Sequence, residues 1–445
     1  MCRHDSPAHD TQLPQAAAPL DPDPNAGETF PWSSGRVYDA HCHPTDTLAS
    51  LAAIPHMGAA TLTVMSTRAQ DQDLVAALGA SQPDKVVAAF GWHPWFAHQL
   101  YDDADGHGGG GQDLSSTEAK RQHLARVLAP MPSSLASPVT AKDEQLVAAL
   151  DALAVSLPAI RPLSAFLAET RQRLLDHPGA LVGEIGVDKA FRVPEPAKMD
   201  RTETEAESEA GPEAGPVSGL TPGGREGRQL SPFRVRAAHQ MVVLQAQLSL
   251  SANLQRPVSV HGVQAHGLLY SALAATWRGQ ERKTPSRRQR RQMMDAQCPD
   301  DESTSDRLTK LKEQPVAELG KDCPAPAKTY PPAICLHSFS GPVDMLQQYL
   351  RPDIPVPIYF SFSTAVNCST ASGCQRTAEV VAACPADRLL VESDLHVAGT
   401  TMDAALQDMY RRVCAIKGWT LAEGVERIAR NYNAFIKTPS RGDLT

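Results

Sequence analysis

The sequence predicts an α/β fold, a single (β/α)8 TIM barrel carrying long disordered or poorly ordered insertions. Three observations predict it. Eight short apolar runs follow one another along the chain, each ending in polar residues and each separated from the next by room for a helix. The runs are nearly continuous in apolar residues, the pattern of parallel strands covered by helices. Side chains able to do chemistry stand at the ends of several runs, where the active sites of such barrels gather. At 445 residues the chain is long enough for about three ordinary domains, yet a barrel of this kind uses roughly 250 residues or more, so length alone leaves the domain count open.

In chain order the runs cover residues 37–44, 61–67, 86–94, 180–188, 257–262, 333–341, 358–365 and 388–396. Between the fourth and fifth, Ala237, Met241, Leu244, Leu248 and Ala252 recur at spacings of three and four, which predicts a helix; Pro257 then opens the next strand. The remaining chain divides into a disordered segment 1–34, a tail 438–445, and insertions at about 102–168, 194–230 and 278–332 within a barrel spanning 35–437. Gly108 to Gly111, the Glu, Gly and Pro alternation near Glu203 to Pro212, and the charged stretch after Arg278 offer too little apolar surface to offset the entropy of ordering. Between Leu124 and Ala168, Leu and Ala content permits helices appended to the core. The surplus of turn formers, 36 prolines and 29 glycines, fits a core interrupted by insertions.

Composition excludes several classes. Aromatic residues are only 5%, which argues against a broad stacking platform for single-stranded nucleic acid, and a formal charge of −8 argues against a wholly basic binder. A basic run, Arg278, Arg282, Lys283, Arg287, Arg288, Arg290 and Arg291, reads as an import tag, a local DNA-backbone contact or a solvated insertion, and Asp300, Asp301 and Glu302 beside it offset its field. Nine cysteines without a C-x-x-C pair suggest a reducing intracellular setting, cytoplasmic or nuclear. No apolar stretch is long enough for a membrane span, and the first thirty residues lack the apolar segment of a signal peptide.

The first strand ends Asp39-Ala40-His41-Cys42-His43. Alternate residues of a strand share a face, so both imidazoles can reach one metal ion. With 15 histidines in 445 residues, chance supplies about half of one such H-x-H, so its position at a strand end is what gives it weight. The fourth strand ends Gly183-Glu184-Ile185-Gly186, the fifth Val258-Ser259-Val260-His261, the sixth Ile334-Cys335-Leu336-His337 and the eighth Val391-Glu392-Ser393-Asp394. Each alone fits a hydrogen-bonded or capping residue. Together they put four His, one Glu and one Asp at one rim of the barrel. His93, between Trp92 and Pro94 at the end of the third strand, is either a contact for substrate phosphate or a histidine packed by Trp92 and Trp95.

These motifs, with Gly91-Trp92-His93-Pro94, Gly183 to Asp188, Pro257 to His261, Leu336 to Gly341 and Glu392-Ser393-Asp394, resemble the TatD-related metal-dependent deoxyribonucleases of the amidohydrolase-like barrel superfamily. They occur in the family's order and cover residues 37–437 outside the insertions. Asp188-Lys189-Ala190-Phe191-Arg192 is most similar to a fungal subgroup, some of whose members are described as partners of an anaphase-promoting-complex subunit. The resemblance implies two divalent ions, Mg, Mn or Zn, with His41, His43 and Asp394 on one, His261 and His337 on the other, and Glu184 bridging them. It implies a hydrolase of phosphodiester bonds, with DNA or another phosphodiester as substrate, in which Glu184 and Asp394 are catalytic. Two ions about 3.5–4 Å apart acidify a water and clamp phosphoryl oxygens, and Asp394 is suited to accept that water's proton.

Two positions depart from the family pattern. Val263 stands where members commonly carry an Arg, and Leu395-His396 replaces a common Ser-Pro. The alternative reading is a cell-cycle-associated interaction protein that keeps the barrel with weak or no nuclease activity. A third, a deaminase-like barrel hydrolase, is disfavoured because Glu184 occupies the bridging place that a carboxylated Lys fills in many of those enzymes.

Overall fold

A computed structural model describes residues 25, 27–103, 114–130, 139–196, 229–283 and 328–437. Of the segments expected to be disordered or poorly ordered, residues 1–24, 104–113, 197–228 and 284–327 lie outside these residues, as does the tail 438–445; residues 27–34, also expected to be disordered, are described, and Phe30 is buried against the core. Eight parallel strands form one sheet: β1 Tyr38–Cys42, β2 Thr61–Met65, β3 Val86–Phe90, β4 Leu181–Asp188, β5 Val258–Val263, β6 Ile334–Leu336, β7 Ile358–Phe362 and β8 Leu389–Val391, paired in that order. Each falls within or within one residue of an apolar run read from the sequence.

The sheet curls until its first and last strands meet. At the ends of β1 and β8, the Asp394 N–H donates to His41 O at 3.0 Å and the His43 N–H to Leu395 O at 2.8 Å. The Asp39 carboxylate laces the same seam, accepting from Ser393 N at 3.0 Å, Ser393 Oγ at 2.6 Å and its own strand's His41 N at 3.1 Å. The barrel is thereby nearly closed, with helices outside.

Alternation along the strands sorts side chains into two apolar layers. Leu62, Val64, Val86, Ala88, Phe90, Ile334, Leu336, Ile358, Phe360, Leu389 and Val391 pack outward under the helices. Met65, Ala89, Leu181, Cys335, Tyr359 and Leu390 fill the interior. The interior is plugged by Tyr432 and Phe435 of the helix Leu421–Ile436, and Tyr432 OH hydrogen-bonds Thr63 Oγ1 at 2.8 Å. That helix starts on Thr420, whose hydroxyl accepts from the Glu423 N–H, the usual satisfaction of a first-turn donor.

The expected helix between the fourth and fifth strands is Ala237–Leu254. Two of its buried amides position the rim. Gln247 accepts from Trp92 N at 2.7 Å and donates to Trp92 O at 3.1 Å; Gln240 accepts from Asp188 N at 2.7 Å and donates to Asp188 O at 2.8 Å. Next to it, Gly186 is required by close approach: a Cβ there would overlap His261 O on the adjacent strand.

In the first β/α unit, 3-10 turns at Pro44–Asp46 and Leu48–His56 stand where an α-helix has room. Within 102–168 the described residues form a packed layer rather than loop. Helices Thr117–Val127, Val139–Ser156 and Leu163–Asp176 cover a second core in which Leu124, Val127, Leu153 and Phe166 meet Trp92, Phe96 and Phe233. The sequence's Leu and Ala content pointed to appended helices there, and the partner residues lie far away in the chain. At 194–230 the chain leaves and returns through a clasped neck, with the Glu195 N–H donating to Gln229 O at 2.8 Å and Arg192 donating to the Leu230 and Ser231 carbonyls.

Gln247→Leu removes both partners of the buried Trp92 peptide groups at little change in volume. Stability should fall by about 2–3 kcal/mol, since each buried group left without a partner costs roughly 1–3 kcal/mol. Urea unfolding checks it, and an unchanged midpoint would count against the clamp.

Candidate metal centre

The residues singled out from the sequence meet at one point. His41 and His43 come from the end of β1, Glu184 from β4, His261 from β5, His337 from the residue after β6, and Asp394 from the turn after β8, where its φ of 53° holds a left-handed backbone. Glu184 is at the middle and almost fully buried.

Its two oxygens face different groups. Oε2 lies 3.3 Å from both His41 Nε2 and His43 Nε2, and these nitrogens stand 3.8 and 3.5 Å from Asp394 Oδ1. Oε1 lies 2.7 Å from His337 Nε2, 2.8 Å from His261 Nδ1 and 3.1 Å from His93 Nε2. Within each group the imidazole nitrogens are close: His41 Nε2 to His43 Nε2 is 3.1 Å, and His261 Nδ1 to His337 Nε2 is also 3.1 Å.

This donor set suits cations. Metal–nitrogen bonds of about 2.0–2.1 Å in a tetrahedral shell put neighbouring ligand atoms about 3.3 Å apart, close to the spacings found here. The charge balance agrees. Burial alone raises the Glu184 carboxyl, but the surrounding His93, His337, His41 and His261 outweigh it and hold it well below the usual range. Burial likewise raises Asp394, and the hydrogen bond from His43 with the fields of His337 and His41 reverses that. Burial lowers His43 and His337, yet the carboxylates raise both well above an ordinary imidazole, and they push His261 up to about 9. The anions therefore favour positive charge among these three imidazoles, a role that bound cations fill when the rings are neutral. Mixed nitrogen and oxygen ligands suit Zn, Mn or Mg.

His93 sits in the same cluster. Its Nδ1 accepts from the Trp95 N–H at 3.2 Å, so in the neutral ring Nε2 carries the proton and donates to Glu184 Oε1. Burial lowers its pKa to about 4, which keeps the ring neutral. Of the two departures from the family pattern, Val263 is half-buried at the end of β5 and His396 is half-buried in the turn after Asp394.

Four supporting residues were given no role from sequence. Asp39 ties β1 to the turn before Asp394. Ser259 Oγ meets His41 Nδ1 at 2.9 Å. Asp188 Oδ2 lies 3.1 Å from His261 Nε2 and accepts from Trp95 Nε1 at 2.6 Å, which fixes the outer side of that imidazole. Glu392 Oε1 accepts from Ser338 N at 2.7 Å and Ser338 Oγ at 2.5 Å, and stands 3.6 Å from His337 Nδ1. A sequence signal for three of them existed: Asp39, Ser259 and Glu392 each precede His41, His261 and Asp394 by two residues.

Known proteins are similar to this chain. Residues 38–437 match the family described as TatD related DNase. The chain is 34% identical over 402 residues to the Cut9-interacting protein scn1 of Schizosaccharomyces pombe, covering 90% of this chain and 98% of that one. It is 24% identical over 238 residues to an uncharacterized deoxyribonuclease of Saccharomyces cerevisiae, covering 53% of this chain and 59% of that protein. Among solved structures, the TatD homolog YjjV of Escherichia coli aligns at a TM-score of 0.44 and 15% identity over 91% of this chain and 99% of that one. A TatD-family hydrolase of Entamoeba histolytica aligns at 0.44 and 11% over 90% and 98%. On a match that runs from the first barrel strand through the last helix, the chain belongs to the TatD-related DNase family.

Proposed function

We propose that the protein is a metal-dependent hydrolase of phosphodiester bonds, a deoxyribonuclease that holds two divalent ions on either side of Glu184. The observation that carries this is the division of the Glu184 carboxylate, with Oε2 toward His41 and His43 and Oε1 toward His261 and His337. Asp394 joins the first pair. Bound there, the ions would supply Lewis-acid polarisation of phosphoryl oxygens and a more acidic water.

The chain's own groups do the remaining work. Asp394 has the most accessible side chain of the six ligand candidates, at 15% exposed against 3% for Glu184, so a water reaches it most readily. It accepts the proton of the attacking water as that oxygen bonds to phosphorus, and the opposite P–O bond breaks with its electron pair passing to the leaving oxygen. His93 is a neutral N–H donor at the Glu184 edge, suited to turn its hydrogen bond to a phosphoryl oxygen. Ser259 and Asp188 hold the outer nitrogens of His41 and His261, so each ring presents its other nitrogen inward.

A second reading, a partner of cell-cycle machinery related to the anaphase-promoting complex, is favoured by the 34% identity to a Cut9-interacting protein along nearly its whole length. Both readings put the protein inside the cell, in cytoplasm or nucleus. Among the described residues no helix is long and apolar enough to cross a membrane.

Labelled single- and double-stranded DNA should be cut in the presence of Mn or Mg. Rates should fall at least ~100-fold in His41→Ala and Glu184→Gln, the scale expected when an interaction made in the transition state is lost. Equal rates in all three proteins would reject the metal mechanism.

Adding Mn or Zn to chelator-stripped protein should raise Tm, by about 2.7 kcal/mol of stability at a hundred times Kd. Calorimetry on Glu184→Gln should show most of that gain gone.

Metal-site variants that fully restore a deletion strain would favour the partner role; if they fail while folding normally, hydrolysis is the function under selection.

A further inference from the structure

Away from the metal centre, a pair of cysteines lies on the shoulder of the same rim. Cys368 ends the short helix Thr364–Asn367, and Cys374 lies in the first turn of the helix Ala371–Ala383, which Thr370 caps by accepting from the Gly373 N–H at 3.0 Å. The two backbones touch: a Cβ on Gly373 would lie 2.9 Å from Asn367 O, and Thr377 Oγ1 donates to Asn367 O at 3.3 Å. After burial, the Cys374 thiol is the next cause that pushes Cys368 up to about 12.

A charge is built against the pair and hydrogen-bonded to one of the two sulfurs. Arg412, only 5% exposed, donates from Nη1 to Cys374 Sγ at 3.5 Å, while its Nε pairs with Asp408 at 3.1 Å. A guanidinium on a sulfur supports the negative charge that the sulfur carries as it attacks. Access singles out the same residue: among the cysteines in the described residues, Cys374 is half-exposed and Cys42, Cys335, Cys368, Cys384 and Cys414 are buried. A cavity of about 100 Å³ opens at the turn between the two cysteines, lined in part by Asn367, Ser369, Thr370 and Gly373.

We propose that Cys374 and Cys368 form a reversible internal disulfide by exchange with a low-molecular-weight disulfide of the oxidised-glutathione class. Cys374, its proton passed to solvent, attacks one sulfur of the reagent, whose S–S bond breaks and releases one glutathione thiolate. Cys368 then attacks the Cys374 sulfur of that mixed disulfide, and its proton goes with the second glutathione. Two protein thiols are oxidised and one disulfide is reduced to two thiols. Cys374 is the attacking residue because it has access and Arg412; Cys368, buried beneath it, resolves. The linkage adjoins Asn367, whose amide donates to Ser338 O and Phe339 O at 3.2 Å each, so it bears on the loop that follows His337.

The test uses the full chain. Folded protein is incubated with oxidised glutathione, free thiols are alkylated under denaturing conditions, and tryptic peptides are weighed. The peptide ending at Arg376, uncut at Arg351 because Pro352 follows, carries Cys335 as well as both cysteines; fragmentation should show Cys335 alkylated and Cys368 and Cys374 not, with a mass two hydrogens below that of the peptide with both thiols free, and the change should revert with reductant. Cys2, Cys298 and Cys323 lie on other peptides and do not confuse the reading. Cys368→Ser should trap glutathione on Cys374, Cys374→Ser should leave Cys368 free for alkylation, and Arg412→Met should slow the reaction ~10-fold, with Arg412→Lys restoring most of the rate. Full alkylation of both cysteines in the wild type overturns the proposal. So does glutathione accumulating on Cys374 without the internal bond, or on Cys368 in Cys374→Ser.

Discussion

Closure of the sheet between its first and last strands is the constraint on which the rest depends. An open sheet of the same eight strands would leave His41 and Asp394 at opposite edges. The two peptide hydrogen bonds across the seam and the Asp39 carboxylate bring them together, and the barrel's curvature then places Glu184, from the far wall, between them. The seam is dry: Asp39 is fully buried, and burial together with the nearby Glu392 raises its pKa to about 7 against the hydrogen bonds from Ser393 and His41. Such a carboxylate is costly to bury unless its lone pairs are satisfied, and here Ser393 and His41 satisfy them.

A shared design runs through the rim. Interior positions turn from apolar to polar toward the carboxyl ends of the strands, so Ser259 precedes His261 and Ser361 precedes Ser363 on the same faces. Ser259 holds the outward nitrogen of His41, Ser361 donates to the Glu392 carboxylate and Ser363 accepts from the Val366 N–H, while the inward imidazole nitrogens converge on Glu184. The excess of carboxylates, buried at Glu184, Asp188 and Glu392 and partly exposed at Asp394, is what makes the centre receptive to positive charge.

Most of this was legible in the sequence, for a physical reason. Parallel strands buried on both faces are local apolar runs, and their ends mark the rim, so both the eight strands and the six candidate ligands could be read without knowing any distance. The supporting residues were also within reach through the two-residue repeat of a strand, but a Ser or a second acid beside a ligand does not announce its partner. What could not be read were the contacts between distant parts of the chain. Gln247 gives no sign that it clamps Trp92, and the layer formed by Thr117–Val127 and Val139–Ser156 is stabilised by Trp92, Phe96 and Phe233, which sequence periodicity does not connect to it. The 3-10 turns after β1 were hidden because room for a helix is not a helix.

The seam also bears on how the protein comes to be made. Asp39 and Ser393 are 354 positions apart, so a ribosome that has delivered both histidines of the first strand has most of the barrel still to translate. Until β8 emerges, those imidazoles stand on an unpaired strand edge, and Tyr432 and Phe435, which fill the interior, arrive later still. A nascent chain therefore offers an incomplete ligand set and an exposed edge for many seconds, the state in which parallel sheets are most prone to wrong pairing. Asp394 arrives only with the last strand, which makes the complete cluster of side chains itself a marker of a finished barrel.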